Sequence, residues 1–197
     1  LEDKLYILRG NDLLYYTPAL PEPVWNIPGK AENIIAIAGC EDMVYALKNN
    51  GELFESRRSS NIKWKKIGNA DNSARFLSVS SGKLWITDGN GTLMSSDLLK
   101  KPLRWEKGEM VNNIISFSSD KGKLYALTKD GILYKSENSD GALKWLKIAY
   151  RNNETIKEDF KLISFLDDRI YAISSDNTLY LGEHRSEGNL TARALAV

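Results

Sequence analysis

Val44-Tyr45-Ala46-Leu47, followed shortly by Asn50-Gly51-Glu52-Leu53-Phe54, is the stretch that decides the fold. An apolar segment centred on an aromatic, a polar Asn-Gly and a second apolar pair read as two strands joined by a hairpin. Asn-Gly favours the positive φ angles that a tight reversal of the chain needs. The pattern is written five times. Its first strands are Leu5-Tyr6-Ile7, Val44-Tyr45-Ala46, Leu84-Trp85-Ile86, Leu124-Tyr125-Ala126 and Ile170-Tyr171-Ala172, their aromatics 39, 40, 40 and 46 residues apart. The other turns and second strands read Asn11-Asp12-Leu13-Leu14-Tyr15, Asn90-Gly91-Thr92-Leu93-Met94, Asp130-Gly131-Ile132-Leu133-Tyr134 and Asp176-Asn177-Thr178-Leu179-Tyr180. A fixed period of this length is the mark of a repeat architecture.

Two more strands complete the unit. After each hairpin a variable loop leads to a tryptophan, and Trp25, Trp64, Trp105 and Trp145 are spaced by 39, 41 and 40 residues. In the fifth copy Ala192 stands where the tryptophan should be. Ahead of four of the hairpins run Ile34-Ile35-Ala36-Ile37-Ala38, Phe76-Leu77-Ser78-Val79-Ser80, Ile114-Ile115-Ser116-Phe117-Ser118 and Leu162-Ile163-Ser164-Phe165-Leu166. Large residues alternate there with Ala or Ser, as on a strand whose faces differ, and the small side chains suit a crowded place near an axis. A four-stranded sheet with two apolar faces is not stable alone; sheets stacked face to face around an axis bury both.

The expected fold is therefore all-β, a β-propeller of five four-stranded blades with about 40 residues per repeat, the first blade lacking one strand. It forms a single domain over 1–197, with repeats at approximately 1–30, 31–70, 71–110, 111–150 and 151–197. The last segment, Ala192 to Val197, is expected beside the first blade. Tyr150 to Asp159 departs from the period and reads as a surface loop.

Composition bounds the function. The 27 basic and 26 acidic residues nearly cancel, so the chain offers no sequence-independent grip on nucleic acid. Lys63, Lys65 and Lys66 read as a solvated outer face. Cys40 is the only cysteine, which excludes an intrachain disulfide and a zinc site of the thiolate type. No apolar run reaches the length that spans a bilayer, and no signal-peptide pattern is present. The opening at Leu1 reads as a processed product or as part of a larger secreted protein, with an extracellular or periplasmic location.

Trp25-Asn26-Ile27-Pro28-Gly29, Ile35-Ala36-Ile37, Val44-Tyr45-Ala46-Leu47 and Gly51-Glu52-Leu53-Phe54 resemble the repeats of tectonin and tachylectin-2 type β-propellers. Similar segments recur along nearly the whole chain, although the Pro-Gly after the tryptophan strand occurs once. The resemblance implies a lectin with sugar pockets between or within blades, or a scaffold or immune-recognition module. A weaker resemblance links Asn138-Ser139-Asp140-Gly141-Ala142-Leu143-Lys144-Trp145 to the Asp-box of sialidase-like propellers, with Asn138 and Ala142 departing from the pattern. That box is itself structural in most proteins that carry it.

No catalytic constellation emerges. His184 is the only histidine and reads as an exposed loop or strand-end residue rather than a triad member. The acidic pairs Glu41-Asp42, Glu158-Asp159 and Asp167-Asp168 lack EF-hand spacing and read as solvated loop charges. Arg57, Arg58 and Arg151 fall in loops rather than in an arginine cluster. Gly89-Asn90-Gly91 is explained by a hairpin turn. Asn90-Gly91-Thr92, Asn153-Glu154-Thr155 and Asn189-Leu190-Thr191 match the N-glycosylation pattern. The tryptophans could stack on sugars, but a ring locked to the repeat period more often packs between blades.

The resulting expectation is a non-enzymatic, monomeric binding module with no cofactor and no metal, and with a glycan or a protein as partner. Lectin-like carbohydrate recognition leads, a protein-interaction or structural propeller is the alternative, and a sialidase-like hydrolase comes last. No individual ligand-binding residue is assigned. Trp64→Ala is expected to cost about 3–5 kcal/mol if that ring is buried between blades.

Overall fold

The computed structural model describes residues 5–9, 12–16, 26–40, 42–59, 61–139, 142–148, 160–166, 169–174, 179–183 and 193–195. Every regular element among them is a strand. Blade one holds β1 (Leu5–Arg9), β2 (Asp12–Tyr16) and β3 (Asn26–Lys30). Blade two holds β4 (Ile34–Cys40), β5 (Met43–Lys48), β6 (Glu52–Arg57) and β7 (Lys65–Asn69). Blade three follows with β8 (Ala74–Ser80), β9 (Lys83–Asp88), β10 (Thr92–Asp97) and β11 (Glu106–Met110). Blade four holds β12 (Ile114–Asp120), β13 (Lys123–Thr128), β14 (Leu133–Ser139) and β15 (Ala142–Ile148). Blade five holds β16 (Phe160–Leu166), β17 (Arg169–Ser174), β18 (Leu179–Glu183) and β19 (Arg193–Leu195). Each sheet is antiparallel and ordered as the chain runs, and among the described residues blade one has three strands. Ala192, immediately before β19, and the 150–159 insertion lie outside the described residues.

The first strands of successive blades lie side by side, β4 against β8, β8 against β12 and β12 against β16. Their small residues permit this approach. Ser116 Oγ donates to the Ile163 carbonyl (3.1 Å) and accepts from the Ile163 amide (2.8 Å). Ser118 Oγ accepts from the Phe165 amide at 3.1 Å, and Ser119 Oγ donates back to the Val79 carbonyl of blade three at 2.5 Å. Larger side chains would push the backbones beyond bonding reach.

Each innermost strand carries a β-bulge after its first residue, between Ile34 and Ala36, Ala74 and Phe76, Ile114 and Ser116, and Phe160 and Leu162. The extra residue sets the true equivalences. Ala36 pairs with Leu47, Phe76 with Thr87, Ser116 with Leu127 and Leu162 with Ile173. The windows beginning at Phe76 and Leu162 therefore sit two residues further along than those beginning at Ile34 and Ile114. Two residues is one full period of a strand, so the offset left every side chain on its face.

The Asn-Gly and Asp-Gly hairpins differ from the tight two-residue turn expected of them. Only the glycines take positive φ, +81° at Gly51, +84° at Gly91 and +76° at Gly131. Each glycine amide closes the turn onto the carbonyl three residues back: Lys48 (3.0 Å), Asp88 (3.1 Å) and Thr128 (2.9 Å). Two-residue turns with both angles positive occur instead between the first and second strands, at Ser81-Gly82 and Lys121-Gly122.

The core lies between blades. Leu47 and Leu53 of blade two pack with Leu77, Leu84 and Ile86 of blade three, and Leu93 of blade three packs with Phe117 and Leu124 of blade four. Tyr125 of blade four stacks on Phe165 of blade five with ring centroids 3.7 Å apart. Thr87 stands where the neighbouring blades have Leu47 and Leu127, fully buried, and its Oγ1 has no hydrogen-bond partner. Thr87→Val keeps the shape and removes an unsatisfied hydroxyl, so it should raise stability by about 1 kcal/mol in urea unfolding. A loss of stability would mean that the hydroxyl is satisfied in solution.

Candidate functional site

Two of the tryptophans staple one blade to the next. Trp64, half-buried one residue ahead of β7, donates its indole N–H to the carbonyl of Lys30 at the end of β3 (3.1 Å). Trp105 repeats the bond one blade on, to the Asn69 carbonyl at the end of β7 (2.9 Å). Trp145 lies within β15 edge-on to Phe117, centroids 6.5 Å apart, and its buried Nε1 has no hydrogen-bond partner. Trp25 is outside the described residues.

Between blades one and two this staple roofs a groove. Lys30, Glu32, Ile34, Lys48, Phe54 and Trp64 line a cavity of about 220 Å³. Its walls come from the end of the ring that carries the hairpin turns and the blade-to-blade connections. The connection is held in place by the Ile34 amide on the Ala31 carbonyl (3.0 Å) and the Asn49 amide on the Asn33 carbonyl (2.9 Å). Asn33 turns the chain with φ +62°. Lys48 Nζ lies 4.8 Å from the centre of the Phe54 ring, a cation–π contact that holds the ammonium at the mouth. The groove thus offers two aromatic surfaces, one aliphatic wall, two ammonium groups and one carboxylate.

The two ammonium groups do not recur at the next two interfaces. Lys30, Glu32 and Lys48 become Asn69, Asp71 and Asp88 at the next interface, and Met110, Asn112 and Thr128 at the one after. Asp88 and Thr128 are committed to their own turns. Asp88 Oδ1 accepts from the Asn90 and Thr92 amides (2.8 Å each), and Thr128 Oγ1 accepts from the Ile132 amide (3.2 Å).

Three carboxylates are held below their ordinary pKa, and local bonds explain each. Glu52 is lowered chiefly by its hydrogen bond from Lys66, and then by Asn50. Asp71 is lowered by the Ser73 hydroxyl and amide, at 2.6 and 2.7 Å, and Asp97 by the Leu99 amide at 2.9 Å. All three bind their proton less tightly folded than unfolded. Their contribution is complete above the ordinary carboxylate range and is lost as the pH falls through the depressed values. Denaturant unfolding at successively lower pH should show stability falling on the acid side, with a shallower fall in Asp71→Asn; an unchanged slope would rule Asp71 out as a cause.

The sequence-based candidates are scattered. Lys63, Lys65 and Lys66 are exposed, Lys65 lying 3.8 Å from Glu55 and Lys66 paired with Glu52. Arg57 is exposed, Arg58 is partly covered, and Asn90 sits exposed at its hairpin tip. Cys40 packs at the margin of the core between blades two and three. His184, Arg151, Glu41, Glu158-Asp159, Asp167-Asp168, Asp140-Gly141, Asn153 and Asn189 lie outside the described residues. Among the described residues no three His, Cys, Asp or Glu side chains converge as metal ligands. Among the described residues no helix is long and apolar enough to cross a membrane. The groove itself was missed in sequence, where its only signal was the pairing of a period-locked Trp64 with Phe54.

Trp64→Ala is now expected to cost about 2–3 kcal/mol, below the range for a fully buried ring, because part of the indole stays exposed. Trp64→Phe, which removes only the bond to Lys30, should cost about 1 kcal/mol in the same equilibrium unfolding measurement. Equal losses from the two variants would show that the hydrogen bond, not the packing, carries the staple.

No family model and no curated protein matches the chain. Solved structures do. A chain of the nidogen/laminin complex superposes with a TM-score of 0.68 at 9% identity, covering 98% of this chain and 93% of that one. Myxococcus xanthus glutaminyl cyclase superposes with 0.60 at 15% identity, covering 94% and 88%. YCF48 bound to D1 peptide superposes with 0.52 at 13% identity over 99% of this chain, which spans 64% of that protein. At these identities the likeness is one of fold, and that fold is the β-propeller.

Proposed function

We propose that the chain is a non-enzymatic binding propeller that engages a protein partner at the groove between blades one and two. The observation that carries this reading is the single-copy lining of that groove. A ring lectin of the tectonin and tachylectin-2 type repeats its polar pocket from blade to blade, whereas Lys30 and Lys48 have no cationic counterparts at the two following interfaces, where Glu32 alone keeps its charge, as Asp71 at the first. One groove of this size suits one or two side chains of a protein segment. Two of the similar propellers have a peptide or protein bound, YCF48 with D1 peptide and Nup159 with Dbp5.

A lectin remains the second reading, favoured by one feature: the Trp64 and Phe54 faces beside Lys and Glu could receive a pyranose ring. Peptide-array and glycan-array screens of the native chain and of Lys48→Glu separate the two. Saturable peptide binding that is lost in Lys48→Glu, with silent glycans, is the expected result. A glycan hit lost in the same variant would replace the protein reading with the lectin one. Binding that survives Lys48→Glu would take the groove out of either.

A further inference from the structure

The two ends of the ring differ in charge. At the end opposite the groove, segments 81–83, 97–105 and 120–123 of blades three and four, together with Glu137, carry six basic side chains against three acidic ones. At the groove end of the same blades, segments 70–75, 88–92, 107–115, 128–131 and 147–148 carry four basic against four acidic. A chain of net charge +1 has thus gathered positive charge on one end of two neighbouring blades.

The basic segments form one continuous strip. The Leu98 amide donates to the Gly82 carbonyl at 3.0 Å, which ties the 98–104 loop to the turn at 81–82. That turn meets its neighbour in blade four, since a Cβ on Gly122 would lie 3.3 Å from Ser81 Oγ. On the other side Leu103 packs over Gly68 of blade two, where a Cβ would lie 3.0 Å from its Cδ1. The loop is preorganised. Leu98, Leu103 and Trp105 are packed against the core, and Asp97 Oδ1 accepts from the Leu99 amide (2.9 Å). What this frame pushes outward is Leu99, 91% exposed, followed directly by Lys100 and Lys101 and then by Arg104, which are all exposed. A singly exposed leucine is ordinary in itself; Leu99 differs from the other exposed apolar residues, which are 39–58% exposed, in standing 91% exposed on an anchored loop beside basic side chains.

We infer that this strip is a docking surface for an acidic segment of a partner protein, with Leu99 as its apolar anchor. The inference uses no residue of the groove and stands or falls apart from it. Charge complementarity selects an anion. Leu99 selects a protein segment among anions, because a phosphate or sulfate backbone gains nothing from an exposed leucine. A flat anionic bilayer would meet the turns of all the blades together, and the equivalent turn of blade two carries Asp42. A narrow strip of basic residues beside an acidic turn fits an extended chain better than a surface.

The test is fluorescence anisotropy of a labelled peptide of glutamate interspersed with leucine, against a glutamate-only peptide of equal length. Saturable binding of the leucine-containing peptide is expected. It should weaken about tenfold in the Lys101→Glu, Arg104→Glu double variant. Lys129→Glu with Lys147→Glu, at the groove end, should leave it unchanged. Leu99→Ser should cost about fivefold with the leucine-containing peptide and nothing with the other. All of these positions are exposed, and thermal melts of each variant confirm that the fold is kept. Absence of saturable binding, or equal weakening by the groove-end pair, overturns the docking surface. Indifference to Leu99→Ser, or binding to phosphatidylserine vesicles without binding to either peptide, overturns the acidic protein segment as its occupant.

Discussion

Gly91→Ala should lower stability by about 4 kcal/mol in equilibrium urea unfolding. Two costs meet at this position. The residue holds φ at +84°, where a side chain costs an L-residue roughly 1–2 kcal/mol. The added Cβ would also fall 1.9 Å from the Val111 carbonyl oxygen and 2.9 Å from its carbon. Those are backbone atoms of the connection between blades three and four, and Val111 is itself buried among Phe117 and Leu124. Neither side can yield without breaking the bond from the Val111 amide to the Gly91 carbonyl (3.1 Å). Gly82→Ala separates the two costs. Its φ is +71°, yet nothing lies within 4 Å of the new Cβ, so it should lose only about 1 kcal/mol. Gly51→Ala, with the Ala70 carbonyl at 2.8 Å, should fall between them. Equal losses at all three would show that conformation alone makes the glycine necessary, and that the contact with the next blade is slack.

The contrast among these glycines also marks how far the sequence could be read. The hairpin repeat was legible because a strand pair and its turn are local. Tyr6, Tyr45, Trp85, Tyr125 and Tyr171 occupy equivalent strand positions, and the five blades follow from them. What the turn does was not legible, because Gly91 is required partly by Val111, twenty residues further along the chain. The bulge after Ile34, Ala74, Ile114 and Phe160 hid the alignment of the innermost strands for a related reason. One extra residue breaks the period of two at the very start of the strand, while the rest of the strand still alternates. The Trp64 and Trp105 bonds join residues 34 and 36 apart, so periodicity announced the rings but not their acceptors. The groove was the least legible part. Its lining is drawn from two repeats at positions whose chemistry changes from Lys48 to Asp88 to Thr128, and a search for recurrence passes over what occurs once.

Leu84→Ala should cost about 3–5 kcal/mol. Leu84 is completely buried near the start of β9, directly opposite Ser96 of β10 and Val79 of β8, and packs among Leu47, Leu53 and Ile86 between blades two and three. Both walls of the resulting cavity are hydrogen-bonded sheets. A sheet cannot bow inward to close a gap the size of an isobutyl group without stretching its ladder, so relaxation recovers little and the cost sits in the upper part of the range. Leu99→Ala removes the same atoms from a side chain 91% exposed and should change stability by less than about 0.5 kcal/mol. The form of the unfolding curve carries a second result. Blade three shares one core with blade two through Leu84 and another with blade four through Leu93. If those cores melt together, Leu84→Ala shifts the midpoint and leaves the denaturant slope unchanged. If each interface is its own unit, as in an open solenoid, the variant should unfold in two steps with blades three to five outlasting the rest. The innermost strands argue for the first outcome. The hydroxyls of Ser116, Ser118 and Ser119 on β12 bond the backbones of the blades on both sides, so a breach between two blades loads the bonds of the next.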